Sequence, residues 1–227
     1  DPNLVTRAFT KAVKKAGREA NEGIVVAKVD GNKAALVQLS CETDFVGNTD
    51  RFRDYASDLL TKAADQDGNG EVTPALAEQE QAALVDMIAT IGENMKIVNA
   101  QSWTSTGTLS AYVHDGGRIG VLVDVEGEID AAGIKSIGMH IAAFNPTYLD
   151  ESQITEADVA RERAIHEEKA QGKPANIAEK IVSGSIQKWY KEVCFVNQPW
   201  IMDDKKTFGQ AYPKAKINRF IIAKIGK

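Results

Sequence analysis

The stretch Ile24-Val25-Val26-Ala27-Lys28-Val29-Asp30-Gly31-Asn32-Lys33-Ala34-Ala35-Leu36-Val37-Gln38-Leu39-Ser40-Cys41 decides the fold. Ile24 to Val29 is a strand-like run, Asp30-Gly31-Asn32 is a hairpin turn signal, and Lys33 to Cys41 is strand-like again. On the outgoing run, Ala35, Val37, Leu39 and Cys41 share one face. Such period-two alternation fits an antiparallel hairpin with one face on a core.

The same syntax returns in the second half. Leu109 to His114 leads into Asp115-Gly116-Gly117 and out through Arg118 to Val125, so that Asp30 matches Asp115, Gly31 matches Gly116 and Lys33 matches Arg118. Ile119, Val121, Val123 and Val125 again share a face. A helix follows each hairpin. Phe52, Tyr55, Ala56, Leu59, Leu60 and Ala63 recur at three- and four-residue steps, as an amphipathic helix requires. In the second copy Ile137, His140, Ile141 and Phe144 make the stripe of a helix over 134–144. A further helix is expected over 74–91, capped by Thr73 with Pro74 at its first position. A short strand over 96–100 closes the first half, and one over 217–225 closes the second.

Each half thus reads ββα…β, a small antiparallel sheet with helices on one side. The class is α+β, with two related subdomains, rather than a doubly wound fold. Between residues 154 and 190 a charged, helix-favouring segment (155–171) is broken by Gly172-Lys173-Pro174 and resumes as helix over 175–190, which predicts a protruding helical hairpin. A basic amphipathic helix over 4–21 precedes the first strand. The expected division is a linker helix at 1–22, an N-terminal core subdomain at 23–104, and a C-terminal core subdomain at 105–227 containing the hairpin at 154–190.

With 227 residues, 43% of them hydrophobic and 26% charged, the chain has the composition of a globular protein. A net charge of −5 argues against a bulk nucleic-acid binder. No apolar run reaches the length of a membrane span, and residues 1–3 carry no signal-peptide pattern. The absence of an initiator Met predicts a fragment or processed form. Cys41 and Cys194 are too far apart and too few for a disulfide framework or zinc site, so both read as buried thiols in strand-like settings.

Motifs for covalent chemistry are missing: there is no GxSxG, no Walker-type loop and no HExxH. Asp65-Gln66-Asp67-Gly68-Asn69-Gly70 imitates the start of a calcium loop, but Leu76 stands where a bidentate Glu is needed, so it reads as a polar loop. Gly116-Gly117-Arg118-Ile119-Gly120 leads into a strand rather than a helix N-terminus, so it is a turn and not a phosphate cradle. His140, on an otherwise apolar helix, reads as a satisfied core residue. Cys41-Glu42-Thr43-Asp44-Phe45-Val46 puts an acidic side chain and an aromatic ring on a turn. Such a ring is either folded into its own core or offered to another protein, and position alone leans toward the first.

Taken together, Cys41-Glu42-Thr43-Asp44-Phe45-Val46, Arg118-Ile119-Gly120-Val121, Met139-His140-Ile141-Ala142-Ala143 and Asn197-Gln198-Pro199-Trp200 closely resemble the bacterial elongation factor Ts family. Ile91-Gly92-Glu93-Asn94 and Gly172-Lys173-Pro174 fit it too, in the right order from about Val13 to the C-terminus. The resemblance implies a cytoplasmic guanine nucleotide exchange factor of elongation factor Tu, with no covalent chemistry, no cofactor and no metal. It implies that Thr43, Asp44, Phe45 and Val46 enter the partner's G domain, where Phe45 wedges between helices and disturbs the Mg²⁺ and phosphate site. Arg118, Ile119, Gly120 and His140 would touch the same partner, and the second subdomain would hold its third domain. Direct contact with nucleic acid or a membrane is not expected, and a homodimer or a two-plus-two complex is compatible with the resemblance. The family usually begins with a small helical domain carrying a Thr-Gly-Ala-Gly-like motif, which is missing here and again predicts a truncated chain. Trp200 and Phe144 depart from the family pattern. The alternative is a non-enzymatic interaction scaffold with another partner.

Overall fold

In the computed structural model, which describes residues 2–226, the chain opens with helix α1 (Pro2–Lys15) and the strands β1 (Glu22–Asp30) and β2 (Lys33–Cys41). A single helical turn, α2 (Asp44–Gly47), precedes α3 (Asp50–Ala64), the short strand β3 (Gly70–Glu71), helices α4 (Thr73–Gln79) and α5 (Gln81–Ile91), and strand β4 (Met95–Thr104). Then come β5 (Thr108–His114), β6 (Ile119–Gly127), α6 (Ala131–Phe144), α7 (Glu156–Lys169), α8 (Ala175–Val193), the short α9 (Phe208–Ala211) and β7 (Ala215–Lys224). The class is α+β, with a four-stranded sheet in the order β1-β2-β4-β3 and a three-stranded sheet in the order β5-β6-β7. The chain forms two compact units, Asp1–Glu126 with Phe220–Lys227, and Gly127–Arg219.

In the first unit, β1 and β2 pair antiparallel from Glu22↔Cys41 to Asp30↔Lys33, which leaves Gly31-Asn32 as the turn. Gly31 sits at φ 57°, where glycine is at ease. β2 pairs on its other edge with β4, and the register shifts between Gln38 and Leu39, so that Val98 bulges out unpaired. One face of β2 carries Ala35, Val37, Leu39 and Cys41 into a core with Phe52, Leu59 and Met87, as the alternation predicts. The other face is also buried: Ala34 and Leu36 pack with Trp103, Leu109, Leu122 and Ala223. The single-faced strand read from the sequence is therefore corrected to a two-faced one. Gln38, polar yet 7% exposed, fits this second face because its Nε2 donates to the Lys224 carbonyl at 2.9 Å. Burial stays affordable because the amide is paired.

The stripe of α3 is as expected, with Phe52, Tyr55, Ala56, Leu59, Leu60 and Ala63 all buried. Full burial of Phe52 and Leu59 contributes about 1.5–3 kcal/mol each. The single helix expected over 74–91 is two helices meeting at Glu80. Glu80 is 3% exposed, and both its oxygens lie 2.7 Å from Lys62 Nζ on α3. A buried carboxylate needs that partner. Thr73 does not cap α4: its hydroxyl accepts the Ala100 N–H of β4 at 2.8 Å. The helix expected to run to Asn21 stops at Lys15, followed by a tight turn in which Arg18 N–H donates to the Lys15 carbonyl at 2.9 Å. Strand β4 is longer than expected because β2 covers its whole length.

β5 and β6 pair antiparallel from Thr108↔Val125 to His114↔Ile119. β7 runs antiparallel to β6, since Glu128 N–H reaches the Lys214 carbonyl at one end and Ile225 N–H reaches the Arg118 carbonyl at the other. In the second unit, α7 and α8 form a helical hairpin with Gly172 at φ 81° in its turn. Arg163 on α7 bridges to Glu179 on α8 at 2.8 Å, while Val182 and Ile186 supply the buried side of α8. Cys194 is not in a strand but caps the end of α8, with one bridge to Tyr148.

Gly23 sets the geometry at the start of β1. At φ 140°, a Cβ there would stand 2.1 Å from the Leu39 carbonyl oxygen. Gly23→Ala is expected to cost about 3 kcal/mol or more, measured as a lowered urea midpoint at unchanged m-value. Gly31→Ala, whose Cβ meets nothing within 4 Å, is expected to cost only about 1–2 kcal/mol. Equal losses would show that the close backbone approach at Gly23 is not a steric wall.

Candidate functional site

Where β2 ends, the backbone turns through Thr43 into α2. Thr43 is extended (φ −123°, ψ 152°), and its Oγ1 accepts the Val46 N–H at 3.4 Å, an N-cap. Asn48 closes the turn by donating from Nδ2 to the Asp44 carbonyl at 2.9 Å, and Arg53 holds Asn48 Oδ1 at 2.9 Å. Thr49 then caps α3. Inside the turn, Val46 packs against the core and Gly47 is buried. Asp44 is exposed, and Phe45 is 83% exposed. The ring is not folded into its own core.

A second segment grips this turn. Gly92, left-handed at φ 94°, ends α5 and delivers Glu93 to the entrance of α2. Glu93 Oε2 accepts the backbone N–H groups of Glu42 and Thr43 at 3.1 and 3.0 Å, and Oε1 accepts the Thr43 hydroxyl at 2.6 Å. In return, Glu42 Oε1 accepts the Asn94 N–H at 2.6 Å, and Arg18 lies 3.5 Å from the same oxygen. Asn94 Nδ2 donates to the Arg18 carbonyl at 2.6 Å. Burial, with Glu93 and Glu22 adding to it, pushes the Cys41 thiol up to about 12, so it stays protonated and donates to the Thr43 carbonyl.

The turn of the second hairpin is anchored close by in the same unit. Gly117 and Gly120 lie so near β1 that a Cβ would stand 2.4 Å from Ile24 Cγ1 and 2.3 Å from Val25 Cγ1, respectively. Between them Arg118 is exposed and pairs with Glu22 at 3.0 Å, while Ile119 is half-buried. On the other side, Gly47 of α2 packs on Gly23. The first residues of β1 therefore carry both sequence-selected turns, Thr43–Val46 and Arg118–Gly120.

His140 belongs to the second unit, where it is 1% exposed. Phe144 and Trp200 stack on its two faces at 4.6 and 5.2 Å, and Phe195 meets it edge-on at 5.0 Å. Gln198 Nε2 donates to the Glu192 carbonyl, which leaves Gln198 Oε1 to accept from His140 Nε2 at 2.8 Å. Nδ1 accepts the Ile201 N–H at 3.3 Å. These partners assign the neutral Nε2–H tautomer. Phe144 covers the imidazole while remaining 44% exposed.

The family pattern described as Elongation factor TS matches residues 42–227. The chain belongs to the elongation factor Ts family. Among curated relatives, "Elongation factor Ts" of Methylorubrum extorquens (strain PA1) is 40% identical over 93% of this chain and 74% of its own length. That of Cupriavidus taiwanensis is 40% identical over 99% of this chain and 78% of its own length. That of Nitratidesulfovibrio vulgaris (strain DP4) is 38% identical over 91% of this chain and 75% of its own length.

The stretch matched to the elongation factor Ts family begins at Glu42, the first residue of the gripped turn, and includes Glu93, Arg118 and His140. In the sequence Glu93 and Asn94 carry part of the family resemblance but no assigned role; the available signal is a Glu directly behind a helix-ending Gly. The calcium-like loop is structural: Asn69 Oδ1 accepts the Thr104 N–H at 3.0 Å, and Gly70–Glu71 forms β3. Among the described residues, no group of His, Cys, Asp and Glu is placed to hold a metal ion, and no helix is long and apolar enough to cross a membrane.

Burial holds the His140 pKa below its ordinary value of 6.5, with the Gln198 bond opposing in part. Below that value the unfolded chain takes up a proton that the folded chain resists. The stabilisation is therefore full above pH 6.5 and is lost as the pH falls through the folded value. Thermal melts from pH 7.5 to 5 are expected to fall less steeply for His140→Gln than for the wild type. Parallel curves would remove His140 as a source of acid sensitivity.

Proposed function

We propose that this chain is a guanine nucleotide exchange factor that binds elongation factor Tu and promotes release of GDP during translation elongation. One observation carries the reading: Phe45 stands 83% exposed on a capped, gripped turn. An aromatic ring so displayed makes little contribution to its own fold and suits a pocket on a partner. Membership of the elongation factor Ts family names that partner.

In this reading Thr43, Asp44, Phe45 and Val46 enter the G domain. Phe45 wedges between helices beside the switch region and shifts the elements that hold Mg²⁺ and the nucleotide phosphates. Arg118, Ile119 and Gly120, sharing the β1 anchor, touch the same partner. The resemblance has His140 touch this partner directly, but at 1% exposed it is a core residue and reaches the partner only through the half-exposed Phe144 stacked on it. The second half of the chain holds the partner's third domain. The work is differential binding. A factor that prefers the nucleotide-free partner weakens nucleotide binding, and nucleotide weakens the factor's hold by the same ratio. GTP can then expel the factor after GDP leaves. No bond is made or broken, and the factor acts in the cytoplasm without a cofactor.

Burying one Phe ring supplies about 1.5–3 kcal/mol, a bias of roughly tenfold to a hundredfold. Phe45→Ala is accordingly expected to slow release of a fluorescent GDP by about that factor in stopped flow. Its melting temperature should stay within about 2 °C of the wild type, since an exposed ring is lost. A release rate unchanged by Phe45→Ala would sink the wedge role. A wild-type chain that fails to accelerate release at all would favour a scaffold with another partner.

A further inference from the structure

We propose that Glu93 is a positioning residue for exchange, acting through Thr43 to fix the direction in which Phe45 points; the proposal rests on the exchange reading above. Helix α2 has four residues. A helix that short cannot hold itself, because nucleation is unfavourable and the Asp44, Phe45 and Val46 N–H groups lie in the unsatisfied first turn, while Gly47 N–H reaches the Thr43 carbonyl at 3.2 Å. Its geometry must be imposed from outside.

Glu93 imposes it. Three donors at the entrance of α2, Glu42 N–H, Thr43 N–H and Thr43 Oγ1–H, converge on this one carboxylate at 3.1, 3.0 and 2.6 Å. With its proton committed to Glu93, the Thr43 hydroxyl keeps its lone pairs for the Val46 N–H, the bond that caps the turn. Glu93 thus orients the atom that holds the Phe45 turn shut. The grip is reciprocal, since Glu42 Oε1 takes the Asn94 N–H. Bonds from a carboxylate to backbone N–H groups are among the stronger kind. Glu93 needs no contact with the partner for this role. Losing it leaves Phe45 exposed but spreads its direction, and apparent affinity falls with the fraction of time spent in the competent orientation.

The experiment measures release of fluorescent GDP from elongation factor Tu against factor concentration for wild type, Glu93→Ala, Glu93→Gln, Phe45→Ala and the double variant Phe45→Ala/Glu93→Ala. Glu93→Ala is expected to raise the half-saturating concentration about tenfold and leave the maximal rate within about twofold. Phe45→Ala should lower the maximal rate instead. Glu93→Gln keeps an oxygen for both backbone N–H groups and should stay within about threefold of the wild type. In the Phe45→Ala background, Glu93→Ala should add less than about twofold. A Glu93→Ala curve that overlies the wild type, or an equal loss in both backgrounds, would overturn the proposal.

Amide hydrogen exchange provides a readout independent of the partner. In Glu93→Ala the Glu42 and Thr43 amides should lose protection while those of α3 keep theirs. Unchanged protection at Glu42 and Thr43, or loss spread evenly over the first unit, would equally overturn it. If wild type does not accelerate release, the exchange reading falls and the role of Glu93 in exchange falls with it. A failure confined to the Glu93 variants overturns the positioning role alone.

Discussion

A strand buried on both faces is the constraint from which the first unit follows. From Ala34 to Cys41 no side chain of β2 is even half exposed. Both edges of the strand are paired, to β1 and to β4, and both faces need apolar cover. Helices α3, α4 and α5 supply one cover, and residues of β5, β6 and β7 supply the other. The chain must therefore complete its second hairpin and return at its end before the first sheet is finished. Ala223 and Ile225, close to the C-terminus, are core residues of the first unit.

That arrangement explains how an apolar ring can be held out in water. The turn carrying Phe45 is tied below to the core by Val46, sideways to β1 by Gly47 and at its entrance to Glu93. Each attachment is made by a residue other than Phe45. The fold thus confines the turn without using the ring, leaving its apolar surface free. The second hairpin turn uses the same scaffold, because Gly117 and Gly120 admit Ile24 and Val25 where any side chain would clash. Local strand chemistry and the display surface are in this sense one construction.

Much of this was legible in the sequence because it is local. The alternation of Ala35, Val37, Leu39 and Cys41, the Asp30-Gly31-Asn32 turn and the stripe from Phe52 to Ala63 are periodic signals, and the structure follows them. What the sequence hid depends on partners far along the chain. Glu80, at the joint between α4 and α5, can be buried because Lys62 meets its carboxylate. Thr73 looks like a cap but serves Ala100. Glu93 has a role that exists only once Glu42 and Thr43 are brought to it. Phe45 was ambiguous because exposure is a property of the surroundings; the resemblance to a family, and not the turn itself, pointed outward. His140 read as a satisfied core residue, and its stacked, doubly hydrogen-bonded ring shows how the core satisfies it.

The bulge at Val98 changes the parity of a whole strand. On the Met95 side, odd-numbered residues face the helices, as Met95 and Ile97 do; beyond the bulge the even-numbered Ala100 does so instead. Trp103 can then turn to the opposite layer, opposite Ala34. β4 is, in effect, read in two frames, and the unpaired residue is the point where the frame shifts. Losing one residue there would be a frameshift in three dimensions: the indole of Trp103 would swing to the helical side, and every residue between it and the bulge would change layers with it. A substitution along this strand alters one side chain, whereas a change in its length alters the layer of several.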